Sequence, residues 1–570
     1  MLTVLVGINS KYVHTALGLR YVGEYCKQQG QNIQLLEETI NTPILAVLES
    51  IMSYEADVYG FSVHIWNRDF VFRLIRMLKK LRPEAKVVVG GPEVAFDALR
   101  TFKDLPMADY LIEGEGEIVF AQLLESLQLG STLPQHVAYL ENGRVELNGG
   151  VTVLEDMSVL PFPYPDLEQV AAAHKIVYYE CTRGCPFRCS YCLSGISRSV
   201  RQRPLEMVLR DMDRFIAAKV PLVKFVDRTY NLDENYFLPM LEYLAAADTE
   251  TTFHLEIKVD LLSDRVLDFL ETAPKHRFQL EIGVQTTNQP TLKAINRFDN
   301  WSKLVHNCQR LLGFGNMHLH MDLIAGLPYE SLTEFRKSFD DVYGLQPQML
   351  QLGFLKVLPG TQMSHETEEH GLRYMDEPPY EILATDYMPY KDMQFLKRLE
   401  NVLDHTYNSG YYLHLWHYLI AQQGEGSFAF YERLTNWWVG KGHYPQSHNA
   451  KGVAKIIYDY IVEQLSEAQA QVALEILRYD VFLDLPGWQP EYLSWHTEEI
   501  FDTISSFWRD EEQVLRYIPD YRFSSWRQIH KNYPIEFFKY DPQTGQSREF
   551  YLLHNCTQAE KQIIELNFTK

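Results

Sequence analysis

Three cysteines carry the clearest chemical signal in this sequence. Cys185, Cys189 and Cys192 have the spacing C-x-x-x-C-x-x-C, and the aromatic residue Tyr191 immediately precedes the last of them. A cubane [4Fe–4S] cluster has four irons and usually takes four thiolates, so three thiolates would leave one iron open to a non-protein ligand. Zinc is the alternative metal, but it prefers paired C-x-x-C units with a fourth ligand close by, and the sequence has no second pair. The spacing therefore predicts an iron–sulfur cluster with one open position.

The stretch that contains these cysteines, Cys181-Thr-Arg-Gly-Cys185-Pro-Phe-Arg-Cys189-Ser-Tyr-Cys192, resembles the signature of the radical S-adenosylmethionine (SAM) superfamily. The resemblance implies that the amino and carboxylate groups of SAM chelate the open iron. It also implies that an electron from the cluster cleaves SAM to a 5′-deoxyadenosyl radical. Cys181 is an extra thiol, for which a redox or radical-quenching role is one hypothesis and a buried free cysteine is the other.

Length and composition set the limits for the rest of the chain. Its 570 residues suggest about three to four domains. The formal charge of −22 argues against a generic polyanion-binding surface. Seven cysteines, four of them within twelve residues, favour metal ligation in a reducing cytoplasm over a disulfide framework. No apolar stretch approaches the roughly twenty residues of a membrane span, so we expect a soluble, cytoplasmic protein.

Apolar, strand-like runs alternate with amphipathic helical runs over residues 1–135. This alternation predicts a doubly wound, Rossmann-like parallel sheet that binds ligands at the carboxyl ends of its strands. Strands are expected at 2–6, 33–37, 58–63, 86–89 and 110–113. Small and polar residues follow three of them: Ser62, His64 and Trp66, then Gly90, Gly91 and Pro92, then Gly114, Glu115, Gly116 and Glu117.

The strand-end sequences Gly-Phe-Ser, Gly-Gly-Pro and Gly-Glu-Gly-Glu resemble the cobalamin-binding domain that precedes many radical SAM barrels. The resemblance implies that the ten residues named above bind cobalamin; a domain that binds no cofactor is the alternative. The run Asp-x-His-x-x-Gly is absent, and relatives without it bind cobalamin with its base displaced and without a histidine ligand. His14 and His64 lie near strand ends and could approach the corrin, or they are ordinary satisfied histidines.

Closely spaced prolines predict an extended linker over residues 136–174. A second alternation follows, with strands expected at 175–182, 222–226, 252–259, 278–284, 318–324 and 350–357. Six strand–helix units suit the partial (β/α)6 barrel of the radical SAM fold, placed at residues 175–372. As in full barrels, the chemistry is expected at the carboxyl ends of the strands.

The resemblance also implies residues that bind SAM. Glu281, Gly283 and Gln285 would lie along its ribose and methionine, while Gly326 and Tyr191 would contact its adenine. Lys258 and Arg297 are candidates for its carboxylate, which needs a cationic partner when desolvated; a surface ion pair is the alternative. The run Ser197-Arg198-Ser-Val-Arg201-Gln-Arg203 could hold a phosphate or carboxylate, or form a solvated loop.

Residues 373–570 are expected to form a mostly helical domain rich in aromatic residues. They contain seven of the nine tryptophans: Trp416, Trp437, Trp438, Trp488, Trp495, Trp508 and Trp526. These residues would form a core, a substrate wall beside the barrel, or both. The whole arrangement resembles a bacterial subfamily whose C-terminal region has no assigned function.

The resemblance implies a cobalamin-dependent radical SAM enzyme that methylates an unactivated carbon through methylcobalamin. The alternatives are a radical rearrangement, ring contraction or cyclisation without net methyl transfer, and a corrinoid- or SAM-binding sensor without turnover. The implied cofactors are a [4Fe–4S] cluster, SAM and cobalamin. The substrate cannot be inferred, although the acidic charge favours a small metabolite, a lipid precursor or a peptide over nucleic acid. An external electron donor such as flavodoxin or ferredoxin is expected.

Overall fold

The fold was obtained as a computed structural model that describes residues 1–195, 199–496, 500–522, 525–557 and 562–568. The chain divides into two compact units. The first comprises Met1–Ser338 and Leu352–Met393, and the second comprises Phe339–Gln351 and Gln394–Lys570. Among the described residues, no helix combines the length and apolar character that crossing a bilayer would require.

The first unit begins with a doubly wound sheet, as the alternation predicts. Its strands and helices follow each other along the chain as β1 (Leu2–Asn9), α1 (Leu17–Gln28), β2 (Asn32–Thr39), α2 (Ile44–Met52), β3 (Val58–Ser62), α3 (Arg68–Leu81), β4 (Lys86–Gly90), α4 (Ala98–Asp104), β5 (Tyr110–Ile112), α5 (Glu117–Leu129), β6 (Val137–Glu141) and β7 (Arg144–Glu146). The strand order is β2-β1-β3-β4-β5-β6-β7, and strands β1 to β5 pair in parallel.

Successive side chains of the central strand β1 enter different cores. Val4 and Val6 pack in a cluster with residues of α2 and α3, whereas Leu5 packs with residues of α1 and α5. Because side chains alternate along a strand, this division shows that helices cover both faces of the sheet. The first five strands have the order of a doubly wound sheet whose ligands bind at the carboxyl ends.

The predicted linker is partly folded. Residues 137–146 form the antiparallel hairpin β6–β7, which extends the sheet from β5. The turn contains Asn142 and Gly143, both with positive φ, which is the geometry that an Asn-Gly hairpin turn needs. Only the remainder of the predicted linker, which includes the short helix α6 (Leu167–Ala172), connects the two sheets of this unit.

The second sheet has six strands in sequential order, as the barrel prediction requires. Its region comprises β8 (Val177–Tyr179), β9 (Thr182–Arg183), β10 (Arg201–Gln202), α7 (Leu205–Ala217), β11 (Leu222–Phe225), α8 (Glu234–Ala246), β12 (Thr252–Ile257), α9 (Asp264–Glu271), β13 (Phe278–Gln285), α10 (Gln289–Ala294), α11 (Trp301–Phe314), β14 (His318–Ala325), α12 (Leu332–Tyr343) and β15 (Met349–Phe354). The order is β15-β14-β13-β12-β11-β8, while β9 and β10 form a separate antiparallel pair beside the cysteine loop.

The rest of the chain is mostly helical, with a small sheet that the sequence analysis does not predict. Its elements are β16 (Arg373–Tyr374), β17 (Ile382–Ala384), α13 (Tyr390–His405), α14 (Leu413–Gln423), α15 (Ser427–Gly440), α16 (Ala450–Gln464), α17 (Glu467–Asp484), α18 (Phe501–Arg509), α19 (Glu511–Tyr517), α20 (Trp526–Asn532), β18 (Ile535–Tyr540), β19 (Ser547–Asn555) and β20 (Gln562–Leu566). Strands β18 to β20 pair antiparallel. Trp416 and Trp438 are fully buried, so at least these two tryptophans belong to a core.

Candidate active site

A cavity of about 860 Å³ lies at the carboxyl ends of the N-terminal strands. All ten residues predicted to bind cobalamin line it: Ser62, His64, Trp66, Gly90, Gly91, Pro92, Gly114, Glu115, Gly116 and Glu117. The structure therefore brings together three segments that are far apart in sequence. The volume lies in the upper part of the range usual for cofactor sites.

Further residues of the cavity lining come from the region of the second sheet of the same unit. Tyr178, Arg183, Leu193, Arg228 and Lys356 line the cavity, although no binding role was predicted for any of them. Leu193 directly follows Cys192, so the cysteine loop reaches the cavity edge. One cavity thus adjoins both the strand ends of the first sheet and the cysteine loop of the second.

At two positions of the cavity wall, Gly91 and Gly114, the backbone conformation and the close neighbours permit only glycine. At a third, Gly90, the missing side chain leaves cavity space open. Gly91 has a φ of 103°, and a Cβ there would lie 2.6 Å from the Val63 carbonyl oxygen. Gly114 has a φ of 99°, and its Cβ would lie 2.3 Å from the Thr152 carbonyl oxygen. At Gly90 the nearest atom to an added Cβ is 3.9 Å away, so a longer side chain there would extend into the cavity.

The two histidines near the strand ends have protein partners. His64 Nε2 lies 2.9 Å from Ser62 Oγ, and the ring stacks on Trp66 with centroids 4.3 Å apart. Burial lowers the pKa of His64 to about 4, so its ring is neutral at neutral pH. His14 Nδ1 lies 2.7 Å from the Tyr178 hydroxyl. Both histidines line the cavity.

The acidic strand end around Glu115 is held by arginines from the cysteine loop region. Glu115 accepts hydrogen bonds from Arg183 at 3.0 Å and from Arg201 at 2.9 Å, and Arg183 also pairs with Glu117 at 2.9 Å. Burial would raise the pKa of Glu115, but the two arginines lower it below its usual value. Glu115 and Glu117 therefore fix the first sheet to the loop that carries the cysteines.

The predicted anion-binding run does not present its described arginines to a ligand. Arg201 pairs with Glu115, and the buried Arg203 pairs with Asp211 at 3.0 Å. Ser197 and Arg198 lie outside the described residues. The arginines of this run that the structure describes are thus engaged by carboxylates of the protein.

The three predicted cluster cysteines lie together in the loop between β9 and β10. Cys185 is buried, with its Sγ 3.7 Å from Thr229 Oγ1, while Cys189 and Cys192 are half-buried. Burial raises the pKa of the Cys189 thiol, Arg297 opposes this, and the neighbouring Cys192 and Cys185 raise it further. Cys185 and Cys192 thus both lie near the Cys189 thiol.

Cys181 is separate from this group. Its buried thiol donates a hydrogen bond to Asp227 Oδ1 at 2.9 Å, and Asp227 also accepts from the Thr182 hydroxyl at 2.6 Å. Burial raises the pKa of Asp227 to about 6, and the pKa of Cys181 is raised well above its usual value by burial and by Asp227. Cys181 is a protonated thiol that holds the start of the cysteine loop.

Tyr191 and Arg297 lie beside Cys189. Burial raises the pKa of Tyr191, while Arg297 acts in the opposite direction. The guanidinium of Arg297 donates to Asp299 at 2.7 Å and to the Gly283 carbonyl oxygen. Arg297 is thus both an ion-pair partner and a positive charge near the thiols.

Lys258 lies between two acids at the end of β12. Its ammonium contacts Asp260 at 2.8 Å and also contacts Asp299, and it lies 5.6 Å from the ring centroid of Phe187. A carboxylate of SAM would have to compete with these two carboxylates. The predicted contact of Lys258 with SAM stays a prediction.

Glu281 lies in a polar network between strands. Its Oε2 accepts from His254 Nε2 at 2.8 Å and from Lys224 Nζ at 3.1 Å. Burial would raise the pKa of Glu281, but the His254 and Lys224 contacts lower it to about 2. Its carboxylate oxygens also lie near His320 and Asp322 on β14.

The end of β13 has the geometry of a small-ligand contact. Gln285 has a φ of 69°, and its side chain folds over Gly283, where an added Cβ would lie 2.2 Å from Gln285 Nε2. The buried Oε1 of Gln285 has no hydrogen-bond partner. At the end of β14, a Cβ on Gly326 would lie 2.7 Å from Ile382. An orphaned buried acceptor of this kind fits the ammonium of a bound ligand.

Three family models match successive parts of the chain. The model described as "B12 binding domain" matches residues 3–124, and "Radical SAM superfamily" matches residues 179–342. A third, "Protein of unknown function (DUF4080)", matches residues 368–559. The first two models match the sheet whose strand ends line the cavity and the sheet that carries the cysteine loop.

The chain is similar to the cobalamin-dependent radical SAM methyltransferase TokK from Streptomyces tokunonensis. The two are 25% identical over 450 residues, which cover 70% of this chain and 63% of TokK, or just under two thirds of its length. The fold is similar to OxsB with aqua-cobalamin and SAM bound, with a TM-score of 0.62 and 15% identity over 90% of this chain and 84% of OxsB.

A further structural similarity is to TsrM from Kitasatospora setae with cobalamin and a [4Fe–4S] cluster bound. Its TM-score is 0.56 with 14% identity, and the likeness covers 66% of this chain and 78% of TsrM. At 14–15% identity the structural comparisons show only that the fold is similar. The evidence for homology comes from the two matched family models and from the sequence similarity to TokK. The chain therefore has a B12-binding domain followed by a radical SAM domain and is a homologue of the cobalamin-dependent radical SAM methyltransferases.

Proposed function

We propose that this protein is a cobalamin-dependent radical SAM methyltransferase that transfers a methyl group to an unactivated carbon. The observation that carries the proposal is that one cavity is lined both by the B12-binding strand ends and by residues of the radical SAM region, including Leu193. A substrate in this cavity would be near both cofactor sites. Methylation through the two cofactors requires that proximity.

The cluster ligands are Cys185, Cys189 and Cys192. Cys185 and Cys192 both lie near enough to Cys189 to raise the pKa of its thiol, and Cys181 is engaged by Asp227, so three ligands are left for the cluster in this loop. Arg297 stabilises the thiolate form of Cys189 by opposing the effect of burial on its pKa. Three thiolates leave one iron position for SAM.

Tyr191, Glu281, Gly283, Gln285 and Gly326 are the proposed SAM contacts. The unpartnered Oε1 of Gln285 supports this assignment, because it is a buried acceptor that a SAM ammonium would satisfy. Gly283 leaves room for the Gln285 amide to take this position. The fixed charge of Glu281, whose pKa is lowered to about 2, would hold a hydroxyl donor at any physiological pH.

The cobalamin site is formed by the ten strand-end residues. Gly90, Gly91 and Gly116 add no side chain to the cavity lining, and Glu115 and Glu117 form ion pairs with Arg183 and Arg201. His64 is neutral and already contacts Ser62. These features support binding without a histidine ligand to cobalt.

When bound, the cluster and SAM supply a 5′-deoxyadenosyl radical, and cobalamin supplies the methyl group. The chain itself contributes position and exclusion of water. Leu5, Val22, Ile112 and Phe120 give the cavity an apolar lining. An apolar cavity limits side reactions of a radical with solvent.

The electron donor, the substrate class and the location are inferred from the proposed radical SAM activity. We expect an external flavodoxin- or ferredoxin-type donor, a small metabolite, lipid precursor or peptide as substrate, and a cytoplasmic location, where cluster thiols stay reduced. The net charge of −22 makes nucleic acid the least favoured substrate.

The test uses anaerobically reconstituted protein supplied with cobalamin, SAM and dithionite. Corrin bands together with a broad iron–sulfur shoulder are expected in the absorbance spectrum, and 5′-deoxyadenosine is expected as a product. Cys185→Ala should lose both the shoulder and the product. A product that persists in this variant would overturn the cluster assignment.

The identity of the reaction is tested in cells. Metabolite and lipid extracts of a producing strain and of the Cys185→Ala strain are compared for compounds that gain one methyl group. A compound that changes without gaining a methyl group would instead support a rearrangement or cyclisation. Absence of 5′-deoxyadenosine from the wild-type enzyme would favour a sensor without turnover.

A further inference from the structure

Most charged side chains that line the cavity are paired within the protein. Arg183 is surrounded by Glu115, Glu117 and Glu180 at distances of 2.8–3.0 Å. Glu93 accepts a hydrogen bond from Tyr380 and lies 3.5 Å from Arg68. Each of these charged groups therefore already has a partner in the protein.

Arg228 and Lys356 are the exceptions. Both line the cavity, and within the described part of the chain neither side chain has an ion pair or hydrogen bond. Arg228 follows β11 and Lys356 follows β15, so both lie at the carboxyl ends of strands of the radical SAM sheet. Burial raises the pKa of Glu256, and Arg228 opposes this as a nearby positive charge without contacting the carboxyl group.

We propose that Arg228 and Lys356 bind anionic groups of the substrate, carboxylates or phosphates. This inference rests on the proposed function. A guanidinium binds such planar or tetrahedral anions with two hydrogen bonds, and an ammonium binds them as a point charge. Two cations on a protein of net charge −22 favour a small anionic substrate over a polyanion, which the rest of the surface would repel.

The position of the two cations distinguishes the substrate from SAM. Glu281, Gly283, Gln285 and Gly326, which are the proposed SAM contacts on the strands, do not line this cavity. Arg228 and Lys356 do line it, together with the B12-binding strand ends. Their charges therefore belong to the cavity that would hold the substrate and not to the proposed SAM contacts. Loss of the two charges is expected to leave SAM binding unchanged.

The test is calorimetric titration of the cobalamin-loaded, cluster-containing enzyme with inorganic pyrophosphate and, separately, with succinate. At least one anion should bind saturably to the wild type and at least tenfold more weakly to the Arg228→Gln/Lys356→Gln double variant. The control is Arg73→Gln/Lys80→Gln, which removes the same charge from two exposed positions on α3 outside the cavity. Its anion affinity should equal that of the wild type.

The same samples are titrated with SAM and assayed for retained cobalamin. Unchanged values in the double variant support a substrate site, whereas a loss of either would assign the cations to a cofactor and overturn the proposal. Failure of the wild type to bind both anions, or equal weakening in the control, would also overturn it. Formation of 5′-deoxyadenosine tests the proposed function separately, because the wild type and the Arg73→Gln/Lys80→Gln control should both form it whether or not an anion binds.

Discussion

Tyr380 donates its phenolic hydrogen to the carboxylate of Glu93, 287 positions earlier in the chain. Glu93 follows the Gly90-Gly91-Pro92 segment of the B12-binding domain, and Tyr380 lies in the segment after the last strand of the radical SAM sheet. Arg100 donates to the same phenol oxygen at 2.9 Å. A single tyrosine thus connects the segment after the barrel to the strand end that lines the cavity.

Tyr380→Phe is expected to lower the free energy of unfolding by about 1–2 kcal/mol. The substitution removes the hydrogen bond and leaves a buried carboxylate with one fewer partner. Denaturant unfolding measures the effect. Tyr390→Phe is the matched control, because that tyrosine is 56% exposed. Equal stability of the two variants would show that the contact contributes nothing.

The substitutions Cys181→Ala and Cys189→Ala are expected to have different effects on the iron content of the reconstituted protein. Cys189→Ala should lose most of the roughly four irons per chain of a reconstituted cubane, because one of three thiolate ligands is missing. Cys181→Ala should keep them, since that thiol is bound to Asp227 and lies apart from the cluster group. Iron and sulfide assays after anaerobic reconstitution decide this. Equal iron loss in both variants would make Cys181 part of the cluster site.

Gly90→Leu is expected to weaken cobalamin binding at least tenfold while the protein still folds. An added Cβ at this position has 3.9 Å of clearance, so the longer side chain occupies the cavity without displacing backbone. Equilibrium dialysis of cobalamin measures the loss. Gly313→Leu is the control, because a Cβ at that helical position has no neighbour within 4 Å. Unchanged cobalamin affinity in Gly90→Leu would place the corrin elsewhere.

The sequence predicts the two sheets because short segments of the chain carry the pattern of each strand. The apolar run Val4, Leu5 and Val6 specifies a strand whose side chains pack against helical layers on both faces. The cysteine spacing specifies one loop. The hairpin around Asn142 and Gly143 also has a local signal, the Asn-Gly turn, although the prolines that follow it predict an extended linker. The sheet β18–β20 lies in a region for which the sequence analysis predicts helices.

The contacts of the site could not be predicted in the same way. Arg183 and Glu115 are 68 positions apart, and Tyr380 and Glu93 are 287 apart, so only the folded chain shows that the first two form an ion pair and the other two a hydrogen bond. The interest of Arg228 and Lys356 likewise depends on the folded chain, because only there do the other charged side chains of the cavity have partners. Residue types predict which side chains could belong to the site, but which charged side chains pair with one another depends on the fold.

Glu330 is a buried carboxyl group that joins the end of β13 to helix α12. Its Oε1 accepts from Thr286 Oγ1 at 2.5 Å and from Ser338 Oγ at 3.2 Å, and its Oε2 has no partner. Burial raises the pKa of Glu330 to about 8 from an ordinary value of 4.5. Between these two values the folded protein holds a proton that the unfolded chain releases. The stability contributed by this group therefore falls as the pH rises from about 4.5 to 8.

Glu330→Gln is expected to remove this pH dependence. The amide keeps an oxygen for Thr286 and Ser338 and cannot ionise, so the variant should gain about 3 kcal/mol over the wild type between pH 5 and pH 7.5, at roughly 1.4 kcal/mol per pKa unit. Denaturant unfolding at both pH values measures the change. Glu141→Gln, at an exposed position, should show the same pH dependence as the wild type. A constant difference between Glu330→Gln and the wild type across this range would mean that Glu330 is already ionised in the folded protein, held by a cation or by water.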